Sequence, residues 1–549
     1  MKFKQKLLTE VPGEDGRTAL WVAAGYEEFR DAVSGLSEKD IRLEPATRVI
    51  KENRHRAVYE TRLPFLEAPV LIKSFRTPKL TRVLKGLLAS PGVRELSHAL
   101  AAAERGIPIA PPLFLLERRE GPRISECLLG YRYLEGISLY DCLVREKDLP
   151  LERRRRLMER AGELTALLHD RGGVHRDYHA GNLLVLEDAS MVLVDLYPLT
   201  FREGLSGEDR VEGLAHLVAS LAPFLGEEGI DELLEAYREA TRAALPDGLR
   251  DRVWRRQGEL RRRHEASRAK RCMRNSSQFY QFRGKGIRIA ARKELTVQQI
   301  LAILESFDWK YKARPSDALK NAPESVILKM DDAWSVPLCV KWYRKRGGLD
   351  PLKEYLRGGR VLRAWKGGNA LVARGIPVAT PFAMVKTQRG GFLLMEAVEG
   401  VELDRKLDRL ISGTGRSDVE AQRKVVQAVG KLLGRLHRKG IFHADLKACN
   451  LMLIEKEDQL EIKLLDYDHV NIYKSLPERL ILKNLVQLNT SVPKEISRGM
   501  RYRFLRSYRE AFPEGPSPKT LFRKVWEASK SMPIVYVTDH GDRIASWQS

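Results

Sequence analysis

Cysteine is scarce in this sequence. The five thiols, Cys127, Cys142, Cys272, Cys339 and Cys449, are scattered over 549 residues without any Cys-x-x-Cys spacing. That excludes a disulfide framework and a cysteine zinc site, and it fits reduced thiols in a cytosolic protein. Long apolar runs are missing too: nothing approaches the ~18 residues needed to span a bilayer. The opening residues are basic but lack an apolar segment, so no secretion leader is expected. Acid is in short supply, with 73 Asp plus Glu against 96 Lys plus Arg and a formal charge of +23. Such an excess favours polyanionic partners (nucleic acid, an anionic membrane face or phosphorylated substrates), or else it is a solvated basic surface. The 43% apolar and 31% charged content is that of a globular chain, and the length suggests two to three domains.

One pattern is present twice. Leu168-His169-x-x-Gly172-x-x-His175-x-Asp177, followed by Asn182, recurs as Leu436-His437-x-x-Gly440-x-x-His443-x-Asp445, followed by Asn450. Each copy continues into two short apolar runs around a polar turn, a β-hairpin pattern ending in Asp195 or Asp466. A loop carrying Asp and Asn, then a hairpin, then a second Asp is the layout of a phosphoryl-transfer site. Asp177 and Asp445 are candidates to accept the proton of an attacking hydroxyl. Asn182, Asp195, Asn450 and Asp466 are candidates to hold Mg²⁺ on the phosphates of ATP.

The repeat extends beyond the loop. Strands around Lys73 (Val70–Phe75) and Lys341 (Leu338–Tyr343) each embed a lysine among apolar residues, where it can reach nucleotide phosphates. The same number of residues separates Lys73 from Asp177 and Lys341 from Asp445, with Gly106-Ile107-Pro108 and Gly375-Ile376-Pro377 between. That fixed period identifies a tandem duplication. Glu95, on a helix expected over 91–105, can aim a carboxylate at Lys73. The matching position in the second copy is Ala364, with Glu354 as a possible substitute. Glu135-Gly136 and Glu399-Gly400 end strand pairs where a kinase hinge would hold adenine, and Lys447 stands two residues after Asp445. The expected fold class is α+β: two bilobal protein-kinase-like domains, each with a β-rich lobe and a helical lobe. Their expected boundaries are 41–249 and 278–549, after an extension over 1–40. The connector, 250–277, is the most basic stretch. From Arg250 to Arg274 it carries eleven Lys or Arg against Asp251, Glu259 and Glu265. It could meet anionic lipid, hold nucleic acid, or cover the first domain.

Together these residues make the chain resemble the lipopolysaccharide kinases of the Kdo and core-heptose kinase group, a branch of the protein-kinase-like fold. The resemblance rests on Lys73, Glu95 with Gly106-Ile107-Pro108, His175-Arg176-Asp177 with Asn182, and Asp195-Leu196-Tyr197. Their counterparts are Lys341, Gly375-Ile376-Pro377, His443-Ala444-Asp445-Leu446-Lys447 with Asn450, and Asp466-Tyr467-Asp468. It implies ATP- and Mg²⁺-dependent phosphorylation of a sugar hydroxyl in the lipopolysaccharide inner core, at the cytoplasmic membrane face of a Gram-negative bacterium. The implied partners are that core or another glycan acceptor, and an anionic membrane surface; no nucleic-acid motif appears beyond bulk charge. The sequence departs from the kinase pattern in lacking a Gly-x-Gly-x-x-Gly loop: Lys51–Arg56 and Lys320–Glu324 stand in its place. Neither Asp195 nor Asp466 is followed by Phe-Gly. A small-molecule or protein kinase of the same fold, and a nucleotide-binding pseudokinase scaffold, are the alternatives.

Overall fold

The computed structural model describes residues 9–13, 16–53, 55–76, 90–120, 123–145, 149–284, 286–330, 337–345, 359–413, 415–456 and 459–547. The chain forms two compact units, Met1–Arg262 and Arg263–Ser549, and the division falls inside the helix Leu249–Lys270.

Unit one opens with a seven-stranded antiparallel sheet: Thr9–Gly13, Gly16–Val22, Arg48–Glu52, Arg56–Thr61, Val70–Phe75, Pro112–Glu120 and Arg123–Arg132. Numbered in that order, the strands lie first, second, sixth, seventh, fifth, fourth, third. Residues 1–40, expected as an extension, therefore supply two strands of this sheet. Unit two repeats the order with Phe279–Gly284, Ile287–Arg292, Lys320–Ala322, Ser325–Met330, Leu338–Arg344, Pro381–Thr387 and Gly390–Glu396.

Both faces are covered at the central strands of each sheet, so those strands are apolar on both sides. Period-two alternation then decides where each lysine goes. Ile72 packs with Tyr59, Phe114 and Leu128 under the short helices Arg30–Ser34 and Glu38–Leu43. Its neighbour Lys73 therefore points to the other face, where the helix Pro91–Glu104 lies against Leu115 and Leu129. Val340 and Lys341 divide in the same way: Val340 sits with Phe307 of the helix Val297–Ala313, and the opposite face packs Cys339, Leu393 and Met395 with Trp365.

The second lobe of each unit is helical. Leu151–Asp170 packs against Gly207–Ala240 in unit one, and Arg416–Arg438 against Arg498–Ala511 in unit two. Gly430 allows the latter approach, since a Cβ there would collide with the backbone carbonyl of Phe504. The repeated Leu-His pair has a structural use. His169 Nδ1 meets the Tyr237 hydroxyl at 3.0 Å and His437 Nδ1 meets that of Tyr508 at 2.8 Å, pinning each helix pair. Burial holds His169 down to about 3 and His437 to about 4. An unfolded histidine protonates near 6.5, so on acidification the unfolded chain binds protons the native state refuses. Stability is expected to fall as pH drops from about 6.5 to 4, by on the order of 3 kcal/mol per buried histidine. Thermal midpoints at pH 7 and 4.5 test this, and His437→Gln should lessen the drop.

The basic helix Leu249–Lys270 is largely engaged with its own unit at its start. Arg250 forks onto Asp231 at 2.6 and 2.9 Å, Arg252 pairs with Glu208, and Arg256 pairs with Glu212 and Glu259. No helix among the described residues is long and apolar enough to cross a membrane.

Candidate active site

In unit one the cleft between the two lobes, about 1690 Å³, is lined by Lys51, Arg56, Lys73, Asn182 and Asp195. The turn and hairpin that carry Asn182 and Asp195 form because Leu183–Val185 and Met191–Leu193 pair antiparallel, each burying leucine or valine into the helical lobe. Lys73 Nζ forms an ion pair with Glu95, which is 0% exposed, and the Tyr131 hydroxyl donates to the same carboxylate oxygen at 3.2 Å. Ser90 caps the helix that carries Glu95 by accepting from the Val93 N–H at 3.1 Å, which fixes the direction of that carboxylate.

The loop is tied to the hairpin by the second histidine of the repeat. His175 Nε2 donates to the Asp195 carbonyl at 2.9 Å, and the His443 ring nitrogen meets the Asp466 carbonyl in the same way. Burial lowers both histidines, so each stays neutral. The asparagine amides face inward: Asn182 Nδ2 donates to the Asp177 carbonyl at 2.8 Å, and Asn450 Nδ2 to the Asp445 carbonyl at 2.9 Å. With its nitrogen committed, Asn182, which lines the cleft, keeps its amide oxygen to offer there.

Asp177 is open to solvent, with its side chain 69% exposed and His179 Nε2 3.7 Å away. The His179 contact holds its carboxyl below the ordinary value, against the opposing effect of burial. Lys447 takes the matching place in unit two, 3.0 Å from Asp445. Asp195 adopts a left-handed backbone, φ 60°, a conformation Asp tolerates better than most residues. Its carboxylate receives a bidentate fork from Arg56 at 2.8 and 2.7 Å. Burial pushes Asp195 up, but the Arg56 hydrogen bonds and the Lys73 charge outweigh it and bring its pKa to about 2.

Unit two gathers the same residue types differently. Ala364 and Trp365 are buried where a helix glutamate would stand, and Glu354 lies outside the described residues. Lys341 turns instead to the hairpin side, 3.1 Å from Asp466 and 3.5 Å from Asp468. Burial opposes ionisation of Asp466, but Lys341 outweighs it and holds the carboxyl well below the usual range. Burial raises Asp468, which accepts from the Tyr343 hydroxyl. Arg56, Asp468 and Tyr343 were given no role from the sequence. For Arg56 the available signal was a cation in the loop that replaces the glycines.

A β-rich lobe and a helical lobe closing on Lys, Asp, Asn and Asp define a protein-kinase-like domain, and this chain holds two of them. The Lipopolysaccharide kinase (Kdo/WaaP) family matches residues 77–237 and again 339–508, more than half of the sequence. The chain belongs to that family. The first match contains Glu95, Asp177, Asn182 and Asp195; Lys73 and Arg56 precede it. Among curated relatives, the 3-deoxy-D-manno-octulosonic acid kinase of Xylella fastidiosa (strain M23) is 31% identical over 140 residues, 21% of this chain and 51% of that protein. The protein of the same name from Actinobacillus succinogenes is 29% identical over 203 residues, 35% of this chain and 82% of the relative. The chain thus spans about half the length of the Xylella relatives it matches. A solved structure described as WaaP in complex with acyl carrier protein aligns at TM-score 0.33 and 18% identity, over 44% of this chain and 98% of that one.

Proposed function

We propose that this protein is an ATP-dependent phosphotransferase that phosphorylates a sugar hydroxyl, Kdo or heptose, of the lipopolysaccharide inner core, and that unit one carries the chemistry. The observation that supports this most is the grouping in one cleft of the Lys73–Glu95 pair, Asn182 and Asp195, with the open carboxylate of Asp177 on the same loop as Asn182. The acceptor class follows from family membership and from the 3-deoxy-D-manno-octulosonic acid kinases among its relatives.

An amide oxygen from Asn182 and a carboxylate from Asp195 suit Mg²⁺, which binds few protein oxygens and completes its shell with phosphate and water. Bound there, the ion would neutralise charge on the phosphates. Lys73, held by Glu95, positions the nucleotide phosphates. Asp177 takes the acceptor proton as the sugar oxygen bonds to the terminal phosphorus and the bond to the nucleoside diphosphate breaks. Positioning and charge neutralisation supply most of the rate, because the transition state spreads charge over the phosphoryl oxygens.

A second reading applies to unit two: a nucleotide-binding pseudokinase, favoured by Ala364 and by the seating of Lys341 on Asp466 and Asp468. The setting is the cytoplasmic membrane face. The net charge of +23 and the exposed Arg261 and Arg262 support an anionic membrane surface as a partner. The test is to incubate the full chain with ATP, Mg²⁺ and lipopolysaccharide core and to look for added phosphate by mass spectrometry. Transfer to the core supports the reading; transfer to no glycan acceptor overturns it.

A further inference from the structure

Kinases with a glycine-rich loop cover the nucleotide phosphates with that loop. In the turn that replaces it in unit one, the backbone donors of the described residues Asn53, His55 and Arg56 are already spent. Asn53 Oδ1 accepts from the backbone N–H of both His55 (2.8 Å) and Arg56 (3.0 Å), and the Asn53 N–H bonds the Arg56 carbonyl at 2.9 Å. These backbone groups have nothing left for a phosphate. The turn offers the cleft a side chain instead: Arg56, the first residue of its strand, whose guanidinium reaches across to Asp195.

That contact conflicts with the proposed use of Asp195. A divalent cation on the carboxylate would lie against the guanidinium, and the two positive charges repel. One must leave when the other arrives. The anion that comes with the metal is the nucleotide's phosphate chain, and a guanidinium is shaped to fork onto phosphate as it does onto carboxylate.

We propose that Arg56 is a nucleotide-phosphate-binding residue of unit one, parked on Asp195 until a metal-bound triphosphate displaces it. This rests on the nucleotide-site reading above. The internal repeat supplies a comparison. Arg56 stands opposite Phe75 in the sheet, and the residue opposite the matching Tyr343 is Ser325, 1% exposed. Without an arginine there, Lys341 itself occupies Asp466. Unit one thus divides two tasks between two cations, Lys73 on Glu95 and Arg56 on Asp195. In unit two Lys341 sits on Asp466 and Asp468 together, with Arg360 3.9 Å from Asp468.

The test is calorimetric titration of the full chain, with and without Lys341→Ala to separate unit two, using the non-hydrolysable triphosphate AMP-PNP and, separately, adenosine. Arg56→Ala is expected to weaken Mg²⁺·AMP-PNP by about tenfold to a hundredfold, the worth of one or two charge-assisted hydrogen bonds. Adenosine, which has no phosphate, should change by less than about twofold, and Arg56→Lys should fall between. Chelating Mg²⁺ should weaken AMP-PNP strongly in the wild type and less in Arg56→Ala, because only the wild type keeps the fork on Asp195. Unchanged or tighter Mg²⁺·AMP-PNP binding by Arg56→Ala overturns the proposal and leaves Arg56 a lock on Asp195. Parallel loss of adenosine overturns it in favour of a purely structural role. A wild type that binds no AMP-PNP fails earlier, at the nucleotide site itself.

Discussion

Asp177→Asn is expected to lower phosphate transfer by roughly a hundredfold to ten-thousandfold, the range a positioned general base contributes. The substitution keeps the shape of the side chain and removes its ability to take a proton. Because the Asp177 side chain is 69% exposed, folding should hardly notice: a surface change away from a packed site stays within about 0.5 kcal/mol. Nucleotide binding should persist, since Lys73, Asn182 and Asp195 are untouched. Asp445→Asn is expected to do far less, because unit two lacks the helix glutamate and seats its lysine on Asp466 and Asp468. Initial rates on the lipopolysaccharide core, with thermal midpoints alongside, check both variants. An unaffected Asp177→Asn enzyme together with an inactive Asp445→Asn one would transfer the chemistry to unit two.

The largest stability effect is expected at Lys73. Removing it by Lys73→Met leaves Glu95 fully buried without its cation, and an uncompensated buried charge costs about 3–5 kcal/mol. Tyr131 gives one hydrogen bond to Glu95 Oε1, while Oε2 has no hydrogen-bond partner among the described residues, so little offsets the loss. Adding Glu95→Leu to Lys73→Met should recover much of it, since replacing both partners removes the stranded charge. The matching Lys341→Met should cost less. The Asp466 side chain is 32% exposed and can be hydrated, and Asp468, though its side chain is 2% exposed, retains the Tyr343 hydroxyl and has Arg360 at 3.9 Å. Denaturant unfolding of the three variants against wild type measures the difference; equal losses at Lys73 and Lys341 would show that the partners' remaining contacts and hydration do not set the cost.

The sequence and the structure agree best where the signal is local. The hairpins after Asn182 and Asn450 follow from two short apolar runs around a polar turn, and they form at Leu183–Leu193 and Leu451–Leu464. The strands holding Lys73 and Lys341 follow from short apolar runs that embed one lysine, and the helix Pro91–Glu104 matches its expected span to within a residue. The first forty residues were less legible. Thr9–Gly13 and Gly16–Val22 are short and flanked by turn residues, and what makes them strands is the edge of the sheet at Pro112–Glu120. The basic run after Arg250 was open to several uses on charge alone. Only the fold sets Asp231, Glu208 and Glu212 beside its arginines.

By itself the sequence determined the duplication, the lysine strands and the loop-and-hairpin order repeated in each unit, and the residue types available to each cleft. Period and spacing are properties of the chain, and they survive without knowledge of distant contacts. Tertiary structure decided which cation meets which carboxylate. Lys73 meets Glu95 and Arg56 meets Asp195 in unit one, while Lys341 meets Asp466 and Asp468 in unit two. A buried charge takes the opposite charge that folding brings within reach: where unit two has Ala364 in place of a helix glutamate and Ser325 in place of an arginine, Lys341 sits on the hairpin carboxylates.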